Sequence, residues 1–295
     1  MIAISGASGN LGRLTASRVA ELIDDPGELV LLSRTPDAVV GLVPGARVRF
    51  ADFDRPESVR TALEGVDRLL LISTDTVEGR SRQHLTAIDA ASEAGVDGLV
   101  YTSMLSPEPG SPALIAASHW ATEEHLRASG LAFTILRCSL YSDFQVFEAA
   151  EALASGRFVH NRGAGGCSYI ARADCAMAAA AVLAGEGHEG VIYELTGPES
   201  LNADRLAAIY SEAGGRRVEA VSVGDDELLD LLQGDRGADG HVQYGVALTV
   251  SLGQAIRAGD FGGLTSAVQE LTGAPPRSVE SLLAESAGML SSAGR

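Results

Sequence analysis

Apolar residues gather in six short runs over the first half of the chain, at 1–4, 29–32, 48–50, 68–72, 98–103 and 133–137. Short, mostly unbroken runs of this kind read as strands buried on both faces of a parallel sheet. The segments between them change period. In 10–24, Leu11, Val19, Leu22 and Ile23 share one helical face, and Pro26-Gly27 stops the helix. Further helices are predicted at 56–64, behind Pro56-Glu57-Ser58, at 80–94, closed by Gly95, and at 113–129. Strict strand–helix alternation predicts an α/β fold with a doubly wound parallel sheet and right-handed crossovers. Beyond about 145 the pattern loosens. A strand at 157–159, a glycine turn at 163–166, an alanine-rich helix at 173–183, a strand at 191–195 and helices near 202–213, 225–233, 241–258 and 278–290 are expected. The chain therefore divides into a sheet domain, 1–145, and a smaller, mostly helical substrate-side subdomain, 146–295. Segment 172–195 returns to the sheet.

The turn after the first strand carries the strongest chemical signal. Gly6-Ala7-Ser8-Gly9-Asn10-Leu11-Gly12 links that strand to the first helix with glycines spaced GxxGxxG. Gly6 permits a tight turn, Gly9 a close backbone approach, and Gly12 close packing of helix on sheet. The helix start offers unpaired N–H groups and the positive end of a macrodipole, which suits a diphosphate. Placed between a strand and a helix, this is the fingerprint of a Rossmann-type dinucleotide fold.

In such a sheet, ligands lie beyond the carboxyl ends of the strands. Segments 6–13, 73–80, 103–112 and 138–144 should converge there. Arg34, at the end of the second strand, stands where an acidic residue would hold the ribose 2′-OH of NAD. An arginine accommodates the 2′-phosphate instead, so the cofactor read here is NADPH. Asp52 and Phe53 fall at the adenine edge, and Asp54 reads as a helix cap. Ser73 and Thr74 fall near the nicotinamide, with His84 packed beneath their loop. Tyr101, Thr102, Ser103 and Cys138 close that end, and the Pro/Gly loop 106–112 is a candidate lid or substrate rim.

Composition narrows the partners. A net charge of -17 argues against non-specific nucleic-acid binding. No apolar run approaches a membrane span, and the opening run reads as a strand, not a signal peptide. Three cysteines without metal spacing suit a reduced, cytoplasmic protein with no bound metal. A homodimer stays open. All 22 basic residues are arginine, so no step can use a lysine amine.

These residues resemble the NmrA-like family of atypical short-chain dehydrogenases, and within it the type 2 NAD(P)H:quinone oxidoreductases and triphenylmethane reductases. The resemblance rests on Gly6 to Gly12, Arg34, Ala51-Asp52-Phe53-Asp54, Gln83-His84, Tyr101-Thr102-Ser103, His119-x-x-Thr122-Glu123, Leu136-Arg137-x-x-Leu140-Tyr141-Ser142-Asp143-Phe144 and Arg172-Ala173-Asp174. It implies hydride transfer from NADPH to a quinone or conjugated aromatic acceptor. Many short-chain dehydrogenases use a Tyr-x-x-x-Lys pair, whereas the corresponding helix here carries His119-x-x-x-Glu123. Cys138 stands where relatives often carry asparagine. A conjugated acceptor needs less proton delivery than a carbonyl, which agrees with the missing pair.

Two residues are candidate proton donors. His119 titrates near neutrality; otherwise it is a helix-surface histidine bonded to Glu123. Tyr141 is a phenol donor or a ring stacked on the substrate; otherwise it is buried in the hinge. Ser103 binds a substrate oxygen or ends its strand, and Phe144 and Trp120 read as core. Two other functions remain open: a non-catalytic NADP(H)-binding redox sensor, and a tailoring reductase of aromatic natural products.

Overall fold

Leu29, Val30, Leu31 and Leu32 are almost wholly buried, as an apolar strand covered on both faces must be. The computed structural model describes residues 1–76, 79–234, 240–286 and 288. Among them, seven parallel strands form one sheet: β1 (Ile2–Ile4), β2 (Leu29–Ser33), β3 (Arg47–Phe50), β4 (Arg68–Leu71), β5 (Gly98–Met104), β6 (Ala132–Cys138) and, after β7 (Arg157–His160), β8 (Val191–Leu195). Their order is β3-β2-β1-β4-β5-β6-β8. The chain winds outward from β1 in both directions, so the topological switch lies between β1 and β4. A crevice opens there beyond the strand ends.

One face is covered by α1 (Asn10–Leu22) and, later in the chain, α6 (Arg172–Ala184). Ala176, Ala178, Ala179 and Ala180 are fully buried. Their small side chains let α6 approach α1 and the sheet closely. The other face carries α2 (Pro56–Ala62), α3 (Arg80–Glu93) and α4 (Ala116–Ala128). The helices fall where the periodicity predicts them. The segment expected at 73–80 includes 77–78, which lie outside the described residues.

A second core unites α5 (Gln145–Ser155), β7, α7 (Ala203–Gly214) and β9 (Glu219–Ser222) around Leu153, Phe158, Leu206 and Tyr210. β7 and β9 pair in parallel, Phe158 opposite Ala220. α8 (Asp225–Gln233), α9 (Gly240–Ala258), α10 (Ala267–Thr272) and α11 (Val279–Glu285) complete the chain. Of the helix expected at 278–290, positions 287, 289 and 290 lie outside the described residues. The sequence reading missed α5, β9 and α10.

Several hydrogen bonds tie the second core to the sheet. Asp174, in the first turn of α6, accepts the Arg277 N–H at 2.7 Å. Ser106 donates to the Asp260 carbonyl at 3.0 Å, and Ser111 to its carboxylate at 2.6 Å. Within the second core, Ser168 donates to the Phe261 carbonyl at 3.0 Å. Among the described residues, no helix is long and apolar enough to cross a membrane. The three cysteines are buried free thiols.

Candidate active site

Gly6 adopts φ +60°, a left-handed conformation that favours glycine. It turns the chain from β1 into the loop before α1, and Gly9 donates back to its carbonyl at 2.9 Å. Gly9 is also the N-cap residue, with extended backbone and no capping side chain. Arg13 N–H reaches the Gly9 carbonyl at 3.0 Å. Among the described residues, the N–H groups of Asn10, Leu11 and Gly12 meet no acceptor. A 13-residue helix thus presents its unshared donors and positive end to the crevice. A Cβ on Gly9 would lie 3.3 Å from the Gly6 carbonyl oxygen.

This turn floors a cavity of about 360 Å³. Gly6, Ser8, Gly9, Asn10, Leu11 and Gly12 line one wall. Arg34, Asp52 and Phe53 line the far end. The Arg34 guanidinium is exposed and, among the described residues, has no hydrogen-bond or ion-pair partner. A free planar cation beside unshared N–H donors fits a dinucleotide carrying an additional phosphate. Asp52 is held by Arg55 at 3.5 Å. Asp54 does not cap α2, whose N-cap is Arg55. Its carboxylate instead takes Gln83 and Arg82, each at 2.8 Å, and those bonds hold its pKa below the ordinary value.

Ser73, Thr74 and Tyr141 line the opposite end. Five expected cofactor residues do not line the cavity. Ala7 is fully buried, and its N–H is spent on the Leu32 carbonyl at 3.2 Å. Thr102 Oγ1 accepts the Ser73 N–H at 3.0 Å, so it shapes the loop from behind. Tyr101 and Ser103 point from the other side of β5 toward α3 and α4, because alternate strand residues face opposite ways. The Cys138 thiol is buried.

Behind this end lies a buried polar chain. His84 Nε2 accepts the Thr74 N–H at 3.0 Å, so His84 lies under that loop as expected. Its hydrogen is therefore on Nδ1, which donates to Thr122 Oγ1 at 3.0 Å. Thr122 donates in turn to the Ser118 carbonyl at 2.7 Å. The Tyr101 hydroxyl and His119 Nδ1 share a hydrogen bond at 2.8 Å. Burial, reinforced by the charge of Arg80, lowers the pKa of His84 to about 3 and that of His119 well below 6.5. His119 is neither a surface histidine nor bonded to Glu123, and it does not line the cavity. This corrects the expectation of a proton donor there: a neutral, enclosed imidazole does not supply acid at physiological pH.

The neutral pair has a measurable consequence. Below the ordinary value of 6.5, the unfolded chain protonates both rings while the folded chain does not, down to about 3 for His84. Folding stability should therefore fall with pH across that window, by up to ~1.4 kcal/mol per unit for each ring. Urea midpoints at about pH 7 and about pH 5 check this. Equal midpoints would contradict the buried neutral pair.

Tyr141 has a different setting. It borders the cavity, and burial raises its phenol well above the ordinary pKa, so it keeps its proton. Among the described residues its hydroxyl has no hydrogen-bond partner. Arg172, the first residue of α6, also lines the cavity, and Asp143 holds its backbone N–H at 2.9 Å. Its guanidinium lies 4.8 Å from the Tyr141 ring and 4.7 Å from the Phe144 ring. Phe144 is 53% exposed and is not core. Trp120 is half-buried, with Arg127 over its ring.

Glu123 serves the scaffold. Fully buried, it accepts Ser103 at 2.7 Å, Arg137 at 3.0 and 2.8 Å, and Arg127 at 2.8 Å. Arg137 continues to Glu108 in the 106–112 loop at 2.7 Å. No residue of 103–112 is among those that line the cavity, so the loop expected as a lid or substrate rim is tied to Arg137 and Asp260 and is not brought to the cavity. Ser5, Ile72, Gln83 and Arg172 line the cavity without having been expected as site residues, and Asp75 and Thr76 line it within the segment 73–80 expected there. Gln83 and Arg172 stand within motifs that carry the family resemblance, which was the signal present for them.

Comparison with known proteins agrees with this geometry. A family model described as NAD(P)H-binding matches residues 6–186. Quinone oxidoreductase 2 of Escherichia coli is 38% identical over 74% of this chain and 76% of its own length. An NmrA-like family domain-containing oxidoreductase of Aspergillus flavus is 31% identical over 82% of this chain and 81% of its own. The solved structure of an NADPH-dependent quinone oxidoreductase from Escherichia coli, complexed with NADPH, superposes with a TM-score of 0.90 at 33% identity, covering 98% of this chain and 99% of that one. The triphenylmethane reductase of Citrobacter sp., complexed with NADP(H), gives 0.89 at 30% identity, covering 97% and 100%. The glycine turn, the switch-point cavity and these matches lead to one conclusion: the chain belongs to the NAD(P)H-binding family, in its NmrA-like branch.

Proposed function

We propose that this protein is an NADPH-dependent oxidoreductase that passes hydride to a quinone or a similarly flat, conjugated acceptor. The observation that carries the reading is the pair of unsatisfied groups bracketing the cavity. Three unshared N–H groups open α1, and the unpaired Arg34 guanidinium stands at the other end. The relatives' names, quinone oxidoreductase and triphenylmethane reductase, support the acceptor class.

Each group has a task in this reading. The first turn of α1 takes the diphosphate, and Arg34 takes the 2′-phosphate on the adenosine side. Asp52 and Phe53 border the adenine, while Ser73, Thr74 and Tyr141 border the nicotinamide. The cofactor supplies the hydride. The chain supplies position, which lowers the barrier by several kcal/mol, on the order of 7 at best. His84 fixes Thr74, and Tyr141 keeps a protonated phenol with a free hydroxyl at the reacting end. No lysine is present to assist a tyrosine in carbonyl reduction. The C-terminal segment 146–295 forms the acceptor side, and the buried free thiols suit the reducing cytoplasm.

NADPH consumption with a panel of quinones tests the reading. Turnover is expected, and Arg34→Ala should weaken NADPH by about tenfold to a hundredfold while leaving NADH nearly unchanged, as the loss of a charge-assisted contact predicts. NADPH binding without turnover across the panel would favour a redox sensor. Equal losses for both cofactors would remove Arg34 from the 2′-phosphate.

A further inference from the structure

The reacting end of the cavity carries a cation that the fold leaves largely unmatched. Arg172 opens α6 and lines the cavity together with Tyr141. The backbone sets its position. Ile170 pairs with Tyr141 in a parallel bridge; its N–H reaches the Leu140 carbonyl at 3.0 Å and its carbonyl takes the Ser142 N–H at 2.8 Å. Two residues on, the Arg172 guanidinium lies 4.8 Å from the Tyr141 ring and 4.7 Å from the Phe144 ring. The side chain is only 16% exposed. Among the described residues its guanidinium makes no hydrogen bond, and its one ion pair is with Asp143 at 3.4 Å. Asp143 spends its other oxygen on the Arg172 backbone N–H. A guanidinium has five donors, so a mostly buried one with a single long contact has donors left for a ligand.

The surface beside this cation is aromatic. Phe144 and Phe147 are 53% and 67% exposed, and neither belongs to a buried core. Three residues apart at the start of α5, they stand on one face of that helix. An aromatic ring left in water beside a cation that lines the cavity fits a flat molecule bearing negative charge. The acids that line the cavity do not fill that role. Asp52 belongs to the adenosine end and is held by Arg55, and Asp75 is exposed, where water screens it.

We infer, resting on the hydride-transfer reading above, that the site selects flat acceptors carrying an acidic substituent, and that Arg172 selects them. The guanidinium holds the anionic substituent, and Phe144 supports the ring while its quinone faces the nicotinamide. Hydride transfer takes one hydrogen nucleus and two electrons from reduced nicotinamide, which is left oxidised. The quinone takes its second hydrogen as a proton from water, and the acidic substituent passes through unchanged. Cationic acceptors meet a like charge at the same place and are disfavoured.

Kinetics with 1,4-naphthoquinone-2-sulfonate and its neutral relative 2-methyl-1,4-naphthoquinone test this. The ratio of their kcat/KM values cancels any change common to both. Arg172→Gln should lower that ratio, sulfonate over methyl, by about tenfold or more, and Arg172→Lys should retain part of it. Phe144→Ala should raise KM for both quinones by about twofold to tenfold and leave the ratio close to that of the wild type. In complexes with NADP⁺, 2-naphthalenesulfonate should bind the wild type about tenfold or more tighter than Arg172→Gln. The neutral 2-naphthalenesulfonamide should bind both alike. An unchanged ratio, or equal sulfonate affinity in wild type and Arg172→Gln, would overturn the assignment of Arg172. An unchanged KM in Phe144→Ala would overturn that of Phe144. Failure of the wild type to reduce any quinone would defeat the functional reading, while the sulfonate titration still decides Arg172.

Discussion

Gly12→Ala is expected to remove NADPH binding from calorimetric detection and to lower Tm. A Cβ at this position would overlap the Gly6 carbonyl oxygen and lie 2.8 Å from Ala7 Cα. Both neighbours are backbone, and neither can rotate away. Room has to come from opening the turn, which is the surface that holds the diphosphate. Overpacking of this kind costs about 1–3 kcal/mol in stability. Displaced N–H donors lose the charge-assisted bonds that set affinity, so a weakening of about a hundredfold or more follows. Gly9→Ala is the contrasting variant. Its nearest neighbour, the Gly6 carbonyl oxygen, is at 3.3 Å, which requires a shift of only a few tenths of an ångström, so the loss of Tm should be smaller than for Gly12→Ala. An unchanged NADPH titration for Gly12→Ala would remove the turn from the binding site.

Glu123→Ala should destabilise the fold by about 3–5 kcal/mol, the scale for breaking a buried ion pair on one side. Glu123 is fully buried and accepts four hydrogen bonds, three of them from arginines. Without it, the largely buried Arg137 keeps, among the described residues, only Glu108 as an ion-pair partner. Arg127 retains Glu124, so the damage concentrates at Arg137. Urea denaturation with an unchanged m-value is the measurement. Glu123→Gln, which retains hydrogen-bonding capacity, should fall between wild type and alanine. A loss under about 1 kcal/mol for alanine would mean that the network contributes little.

The sheet was legible because its signals are local. Apolar runs of a few residues, closed by Pro26-Gly27 or Gly95, announce strands and helices without reference to distant partners. The return of β8 beside β6 also left a trace in the apolar pattern of 191–195. β9 did not. Its four residues are exposed or half-buried, and it exists through pairing with β7, some sixty positions earlier in the chain (Arg157 opposite Glu219). α10 has six residues, too few for a periodic stripe. At the site, the glycine turn and Arg34 were readable because backbone freedom and charge are intrinsic to the residue. His119 and Glu123 were not. Their roles depend on which neighbours close over one face of α4, and the same i,i+4 pair fits a solvated face equally well. Tyr101 and Ser103 were placed near the right strand end but on the opposite side of its pleat.

The contacts of Asp174 with Arg277 and of Ser106 and Ser111 with Asp260 tie α6 and the loop after β5 to the C-terminal helical segment at separate points. A single such link would act as a pivot, whereas links set apart resist rotation about any one axis. Hinge-bending between the halves would have to break several of them at once. Selection among acceptors then depends on the fit of each molecule to a pre-assembled cleft, with little contribution from clamshell closure around it.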